Sequence, residues 1–459
     1  MKQTAKLDTA KLKQSLTACA RVATTRTTIP ILAYVLVESG EGVRLRVTDL
    51  ETHRSEWLPA ATSGEWSAAV PLDALRKLLP RTATACKARP EIALEYLPGS
   101  VGDDTLRDDD RIRVTLGAAT STLRCLPAAE FPPCLESTTS EPCVLNGEVW
   151  ADLSRKVLPA IAAEDARYLL CAARFELNGS ARAIATDGHV LHKAEGSVAV
   201  TDPKIPEVET LIPRSVLFAA SKDYAFREQK ARVSNGAYKA GPRKGQPKTK
   251  IRRYWNRVHV SATDHHVMIE THSVRYVARI TEGTFPDYER VIKKGTPECV
   301  ITTTMADLSQ AVRGVEHCTG DRARVIRLQT SGELPELHAA NPDLGEATST
   351  INGRTRMAGA LVAARPVKPR KPRKATPYTQ REYVLRLDAY ENNVRAYEKK
   401  LEAYDPHDVN GLGVNPDFLL QLADVWEPDK EFELRLWDQN TQIVASGNGA
   451  DCVIMPIRL

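Results

Sequence analysis

The stretch AAVPLDALRKLLP at 68–80 reads as the end of a strand, a proline and then a helix with one apolar side. Two later stretches repeat it, TLIPRSVLFAASK at 210–222 and LGVNPDFLLQLADVW at 412–426. Each sets a proline, Pro71, Pro213 or Pro416, where a first helical turn tolerates a missing N–H. These prolines lie 142 and 203 residues apart. A unit of constant length therefore leaves an insertion of about 50–60 residues in the last interval.

The same recurrence extends outward on both sides. An amphipathic helical segment opens each unit, at 7–22, 145–162 and 301–318, with apolar residues mostly three and four apart. Alternating strand segments follow and close on a polar turn: VRLRVTDLETH at 43–53 and ARAIATDGHVLHK at 181–193. The third counterpart, IRLQTSGELPELHAANPD at 326–343, carries the pattern more weakly. Each unit ends in strands leading to an apolar-proline step: LRCLPAAEFPP, VARITEGTFPDYERVI and DCVIMPIRL. The reading is α+β, with three similar domains of two helices against antiparallel strands, at 1–140, 141–298 and 299–459.

Length agrees, since 459 residues at roughly 150 per domain suggest about three domains. A hydrophobic fraction of 42% with 26% charged residues is ordinary for a globular protein with real cores and excludes a disordered chain. No apolar run nears the roughly 18 residues that span a bilayer, and the first residues have no apolar stretch of signal type. A cytoplasmic protein without membrane partners is the expectation. Nine scattered cysteines without a CxxC pair suggest reduced thiols, several of them in cores, and no metal site.

The net charge of +5 conceals two basic inserts in an acidic body. Residues 227–257 hold eleven basic side chains and one acidic, and 365–381 hold seven basic and none acidic. The first reads as a long mobile loop between a helix and a strand. The second begins an insertion at about 354–407, with a polyproline-like stretch RPVKPRKPRK and a helix over 378–404. These inserts either add DNA or partner contacts or are solvated segments.

Four stretches resemble the bacterial β sliding clamp, the processivity subunit of the replicative polymerase. They are RTTIPIL at 26–32, ATDGHVL at 185–191, FPDYERV at 285–291 and VIMPIRL at 453–459, in family order on a threefold repeat. The likeness covers the chain except the inserts and a loosely matching stretch at about 332–411. It implies three DNA-clamp domains of one fold per protomer. Two protomers would join head to tail into a closed six-domain ring around duplex DNA, with no cofactor and no catalysis.

A sliding protein needs diffuse phosphate attraction, because base readout would create energy wells along the track. The repeated helices offer Lys11, Lys13, Arg21, Arg76, Lys77, Arg81, Arg155, Lys156, Arg214, Lys222 and Arg313, and in the family such helices line the hole. The resemblance further implies DNA contacts at Arg26, Arg167, Tyr168 and Arg290. It also implies a groove between the second and third domains for short peptides of polymerases, the clamp loader and repair proteins. Its matching residues are Leu170, Thr186, Gly188, His189, Leu191, Pro286, Val291, Val453, Met455, Pro456, Ile457, Arg458 and Leu459. Such a groove is an apolar cleft with a few polar groups, and Met455 supplies an adaptable wall. Without the resemblance, Leu170, Leu191, Val291 and Met455 read as core. Val190 stands where family members often carry arginine, which alters the polar rim.

Asp187 and His189 invite an acid-base reading, but no GxSxG, P-loop, HExxH or GxGxxG motif accompanies them, and TDG before an apolar strand is a hairpin turn. His189 and His192 are three apart in a strand and face opposite sides, unlike a metal pair. Two rival functions remain. One is a clamp-derived paralogue or decoy that no longer closes a ring; the other is a free-standing basic nucleic-acid-binding protein, which would hold linear and circular DNA alike.

Overall fold

The computed structural model describes residues 2–24, 27–99, 110–133, 141–178, 180–196, 207–237, 247–320, 324–330, 334–357, 386–387, 389–395, 411–438 and 440–457. They form two compact units, Met1–Ala185 with Glu195–Phe285, and Thr186–Ala194 with Pro286–Leu459. Along the chain one common set of elements recurs three times in the same order, a strand, a helix, four strands, a helix and three strands, with additional elements at Ala61–Ser63, Ala83–Ala88 and Leu126–Pro127 in the first repeat, Gln229–Ala237 and Pro247–Tyr254 in the second and Gly353–Met357 in the third.

The first repeat comprises β1 (Gln3–Asp8), α1 (Thr9–Cys19), β2 (Tyr34–Ser39), β3 (Val43–Thr48), β4 (Thr52–Leu58), β5 (Trp66–Pro71), α2 (Leu72–Leu78), β6 (Glu91–Leu97), β7 (Arg111–Leu116) and β8 (Ala119–Arg124). In the second these become β9 (Cys143–Asn146), α3 (Gly147–Val157), β10 (Ala172–Leu177), β11 (Ala181–Thr186), β12 (Val190–Gly196), β13 (Val208–Pro213), α4 (Arg214–Lys222), β14 (Arg257–Ala262), β15 (His266–Glu270) and β16 (Val274–Arg279). The third has β17 (Cys299–Thr304), α5 (Met305–Val315), β18 (Ile326–Gln329), β19 (Glu336–Asn341), β20 (Gly345–Thr350), β21 (Leu412–Val414), α6 (Pro416–Gln421), β22 (Glu431–Leu436), β23 (Ile443–Gly447) and β24 (Ala450–Ile454).

Local chemistry explains the recurrence. The last residue of each opening strand caps the helix after it: Asp8, Asn146 and Thr304 accept from the N–H groups of Lys11, Glu148 and Asp307. One face of each helix is then buried, through Leu12, Leu16 and Cys19 in α1, Trp150, Leu153 and Val157 in α3, and Leu308, Val312 and Val315 in α5. The turn before β4 and the turn before β12 are built alike. Asp49 accepts from the N–H groups of Glu51 and Thr52, and Asp187 from those of His189 and Val190. The left-handed residue is Gly188 in the second turn (φ 92°) but Leu50 in the first (φ 80°), a backbone conformation that costs a side-chain-bearing residue free energy.

Within each repeat the first strand pairs with the sixth, which continues to the seventh and eighth: β1-β6-β7-β8, β9-β14-β15-β16 and β17-β22-β23-β24. The other strands give the orders β5-β2-β3-β4, β13-β10-β11 and β21-β18-β19-β20. In the first unit β4 pairs antiparallel with β16, Val274 opposite Glu56 and Ala278 opposite Thr52, making one nine-stranded sheet whose outermost member is the short strand Leu126–Pro127 beside β5. In the second unit β12 pairs in the same sense with β24, Val190 opposite Ile454 and Ala194 opposite Ala450.

Behind the β4–β16 seam lies a buried ion cluster. The Arg54 guanidinium, fully buried, donates from Nε to Asp223 Oδ2 at 2.8 Å and from Nη2 to Glu56 Oε2 at 2.7 Å. Tyr276 donates to Asp223 Oδ2 at 2.8 Å, while Ser15 and Tyr224 donate to Glu56. Burial alone would lower the Arg54 pKa, but Asp223, Cys19, Tyr276 and Glu56 hold it well above its ordinary value. Burial pushes the neighbouring Cys19 thiol up to about 11.

Four expectations change. The expected loop is strand at both of its described ends: Gln229–Ala237 and Pro247–Tyr254 pair antiparallel, and Val233, Thr249 and Ile251 are β-branched residues that favour extended backbone, while 238–246 lie outside the described residues. The second insertion begins later than 354, since Gly353–Met357 is a strand on the edge of β17. Pro71 and Pro213 end strands β5 and β13 and occupy helix caps, one step before the first turn; only Pro416 lies inside its helix. The opening helices are also shorter than 7–22, 145–162 and 301–318, because a strand takes the start of each segment. The stretch 365–374 lies outside the described residues, and of the helix expected over 378–404 only 386–387 and 389–395 are described, as helix.

Candidate nucleic-acid interface and peptide groove

In the first repeat, α1 and α2 flank a cleft of about 410 Å³ lined by Lys13, Thr17, Asp73, Arg76, Lys77 and Arg81, with Leu79 and Pro80. Lys13 Nζ donates to the Arg81 carbonyl at 2.6 Å, and Arg76 pairs with Asp73 at 3.2 Å. Four of the expected basic residues, Lys13 on α1, Arg76 and Lys77 on α2 and Arg81 just after α2, are thus gathered in one cleft. A cleft of about 430 Å³ occupies the matching place in the third repeat, between α5 and the segment after α6, with Arg313 and Trp426 in its wall.

Lys11, Arg21, Lys77, Arg81, Arg155, Lys222 and Arg313 are exposed. Lys156 is a correction: three residues after Leu153 and beside Val157, it turns toward the core, only 3% exposed, with Nζ 2.7 Å from Asp152. Arg155 also pairs with Asp152, and Arg214 donates to the Ile161 carbonyl at 3.2 Å. Arg167 is exposed but held by both oxygens of Asp165 at 3.0 Å, and Arg290 pairs with Asp287 at 2.8 Å. Tyr168 is 59% exposed on the turn Tyr168–Cys171. Arg26 lies outside the described residues.

The expected groove residues split between the units. Leu170, in the first, is buried, and its N–H and C=O bond Arg167 and Ala162. In the second unit, Leu191 stands opposite Val453 in the β12–β24 ladder, both buried. Beyond the ladder Met455 N–H donates to the His189 carbonyl at 2.9 Å, and Ile457 N–H to the Gly413 carbonyl at 2.8 Å. Met455, Pro456, Ile457 and Val291 are half-buried, and Pro286, Gly188 and His189 are exposed. Thr186 Oγ1 donates to the Val190 carbonyl at 2.7 Å and accepts from Gly188 N–H, which fixes the turn. Arg458 and Leu459 lie outside the described residues.

Two neighbours escape the sequence reading. The Phe418 ring stacks on His189 with centroids 6.0 Å apart, and Gln442 Nε2 donates to the Val291 carbonyl at 2.5 Å. No local pattern marks either; both come from the third repeat onto residues far earlier in the chain. The Asp187 carboxylate is engaged by turn N–H groups, which is what a turn requires of it. Among the described residues no three His, Cys, Asp or Glu side chains gather as metal ligands, and no helix is long and apolar enough to cross a membrane.

No family model matches the chain. The Beta sliding clamp of Pseudomonas aeruginosa is 29% identical over 349 residues, covering 74% of this chain and 81% of that protein. Among solved structures, the DNA polymerase sliding clamp of Bacillus subtilis superposes with a TM-score of 0.71 at 14% identity, covering all of both chains. A P. aeruginosa DNA polymerase III subunit beta sliding clamp bound to griselimycin gives 0.70 at 21%, again over all of both chains. The fold is that of these clamp structures.

Proposed function

We propose, from its homology to the bacterial β sliding clamps, that this chain is a non-enzymatic DNA clamp, encircling duplex DNA as a head-to-tail homodimer and tethering a polymerase and its loader. One observation carries the reading. At the β4–β16 and β12–β24 seams, the fourth strand of one repeat pairs with the eighth strand of the next. The two edges of that kind left unpaired among the described strands are β8, the eighth strand of the first repeat, and β20, the fourth of the third. They are complementary ends of one heterologous interface, and a second chain using both closes six repeats.

Each repeat is read as one domain, at 1–140, 141–298 and 299–459. The basic helices supply phosphate attraction without base readout, so the complex slides. The segment around His189, Phe418, Val291 and Met455–Pro456–Ile457 offers half-buried apolar surface beside the exposed His189, suited to short peptides. Such work belongs in the cytoplasm, where replication proteins act.

The test is retention on DNA. The purified protein, loaded on nicked circular plasmid, should co-elute with it in gel filtration and dissociate when a restriction enzyme linearises the circle. Averaged electron micrographs should show closed rings of six lobes. Equal retention on circular and linear DNA would instead support a free-standing nucleic-acid-binding protein, and isolated three-lobed particles a paralogue or decoy.

A further inference from the structure

Among the described residues, Gln229–Ala237 and Pro247–Tyr254 form a two-stranded sheet of their own, paired to no other strand. Its strands carry Lys230, Arg232, Lys248, Lys250, Arg252 and Arg253 and no acidic residue. Register sets Lys230 directly opposite Arg253, with Ala231 opposite Arg252 and Val233 opposite Lys250. Like charges directly opposite in an antiparallel pair are destabilising, and a lone two-stranded ribbon is marginal in water. As a purely structural element it is therefore badly composed. Charged side chains guard an exposed strand edge from aggregation, and six cations without an anion on these strands also give the ribbon a strong positive field.

Its base is nonetheless anchored. The chain enters from α4 through the turn Tyr224–Phe226, and Asn256 Nδ2 donates to the Ala225 carbonyl at 2.8 Å. Gln229 Nε2 donates to the Arg227 carbonyl at 3.0 Å. Beyond the base Ile251 is 60% exposed and Tyr254 45%, so neither is used for a core. Glu228 lies 3.9 Å from Arg253 at the root. A fixed root, an extended basic ribbon and exposed apolar residues suit a polyanion, whose charge relieves the cross-strand repulsion.

We infer that this hairpin is a second DNA contact, a basic arm that binds the phosphate backbone of duplex DNA independently of the helices. Closure of the ring is not required for it. The test is equilibrium binding of a short linear duplex across a salt series, by the full chain and by a variant with Lys230, Arg232, Lys248, Lys250, Arg252 and Arg253 all changed to Gln. If three of the six meet phosphates, the slope of log K against log salt falls by about 3 in the variant. Between about 50 and 200 mM salt the parent then loses roughly 40-fold more affinity than the variant. A second variant, with 229–254 replaced by a short Gly-Ser linker, should match the first; circular dichroism checks that both are folded.

Parallel salt lines for parent and variants would overturn the inference. So would a loss confined to polyglutamate, used as a probe of acidic polypeptides, with duplex binding unchanged. Retention on circular plasmid reports the ring separately, so the arm and the clamp can fail independently.

Discussion

Replacing Arg54 with Met removes the one cation between two buried carboxylates. Arg54, Glu56 and Asp223 all have fully buried side chains, and the bonds from the guanidinium to the two carboxylates run from 2.7 to 2.8 Å. With Arg54 gone, Glu56 keeps donors from Ser15 and Tyr224, and Asp223 keeps Tyr276 and the Ala225 N–H, but nothing in the cluster offsets their charge. Removing one partner of a buried pair costs about 3–5 kcal/mol. Against a typical total stability of about 5–15 kcal/mol, that brings the fold near its limit. For a unit of this size each kcal/mol moves Tm by about 2–4 °C, so the expected fall is about 6–20 °C. Differential scanning calorimetry of Arg54→Met measures it. Changing Glu56 and Asp223 to Leu as well as Arg54 to Met should recover more than half of the loss, because uncompensated burial of charge is the cause. A fall of under about 1 kcal/mol in Arg54→Met, or a triple variant no better than the single one, would refute the reasoning.

Other outcomes follow from single groups. Burial holds the His53 imidazole below its ordinary range, so as pH falls below about 6.5 the unfolded chain takes up the proton first and stability is lost toward the folded pKa. His53→Phe should then lose less Tm than the parent between about pH 7.5 and about pH 5.5, by thermal melts in matched buffers. Burial raises the thiols of Cys299 to about 11 and Cys125 to about 12, so both should resist a thiol reagent at neutral pH until guanidinium unfolds the chain. Phe418→Ala, which removes the ring stacked on His189 beside the proposed peptide surface, should weaken a fluorescent clamp-binding peptide by about 2- to 12-fold in an anisotropy titration. Arg26→Ala should reduce the salt slope of duplex binding by about one, and an unchanged slope would remove Arg26 from the interface.

The threefold repeat was legible because its signals are local. A strand ending in Asp8, Asn146 or Thr304 caps its own helix, and Asp49 and Asp187 bond N–H groups two and three residues on. Apolar spacing along α1, α3 and α5 names the buried face without reference to the rest of the chain. Residues linked through long loops were not legible. Arg54 and Asp223 are 169 residues apart, and nothing near either marks the partner. Charge read one residue at a time also misjudged Lys156, whose exposure depends on the side of α3 that packs inward, and it gave no sign that Asp165 sits in the Arg167 fork. The expected groove residues were named only through resemblance, since Leu191 and Val453 carry no local sign that their strands would meet.

What the sequence by itself determined is therefore the α+β repeat, its two basic inserts and the placement of its helices, since capping, periodicity and turn chemistry act over a few residues. Tertiary structure alone decided which strand edges meet, which charges are buried together, that Gln229–Ala237 pairs with Pro247–Tyr254, and that β8 and β20 have one edge unpaired among the described strands. Those outcomes depend on free energies of pairing and desolvation between distant segments, and such energies have no value until the chain has brought the segments together.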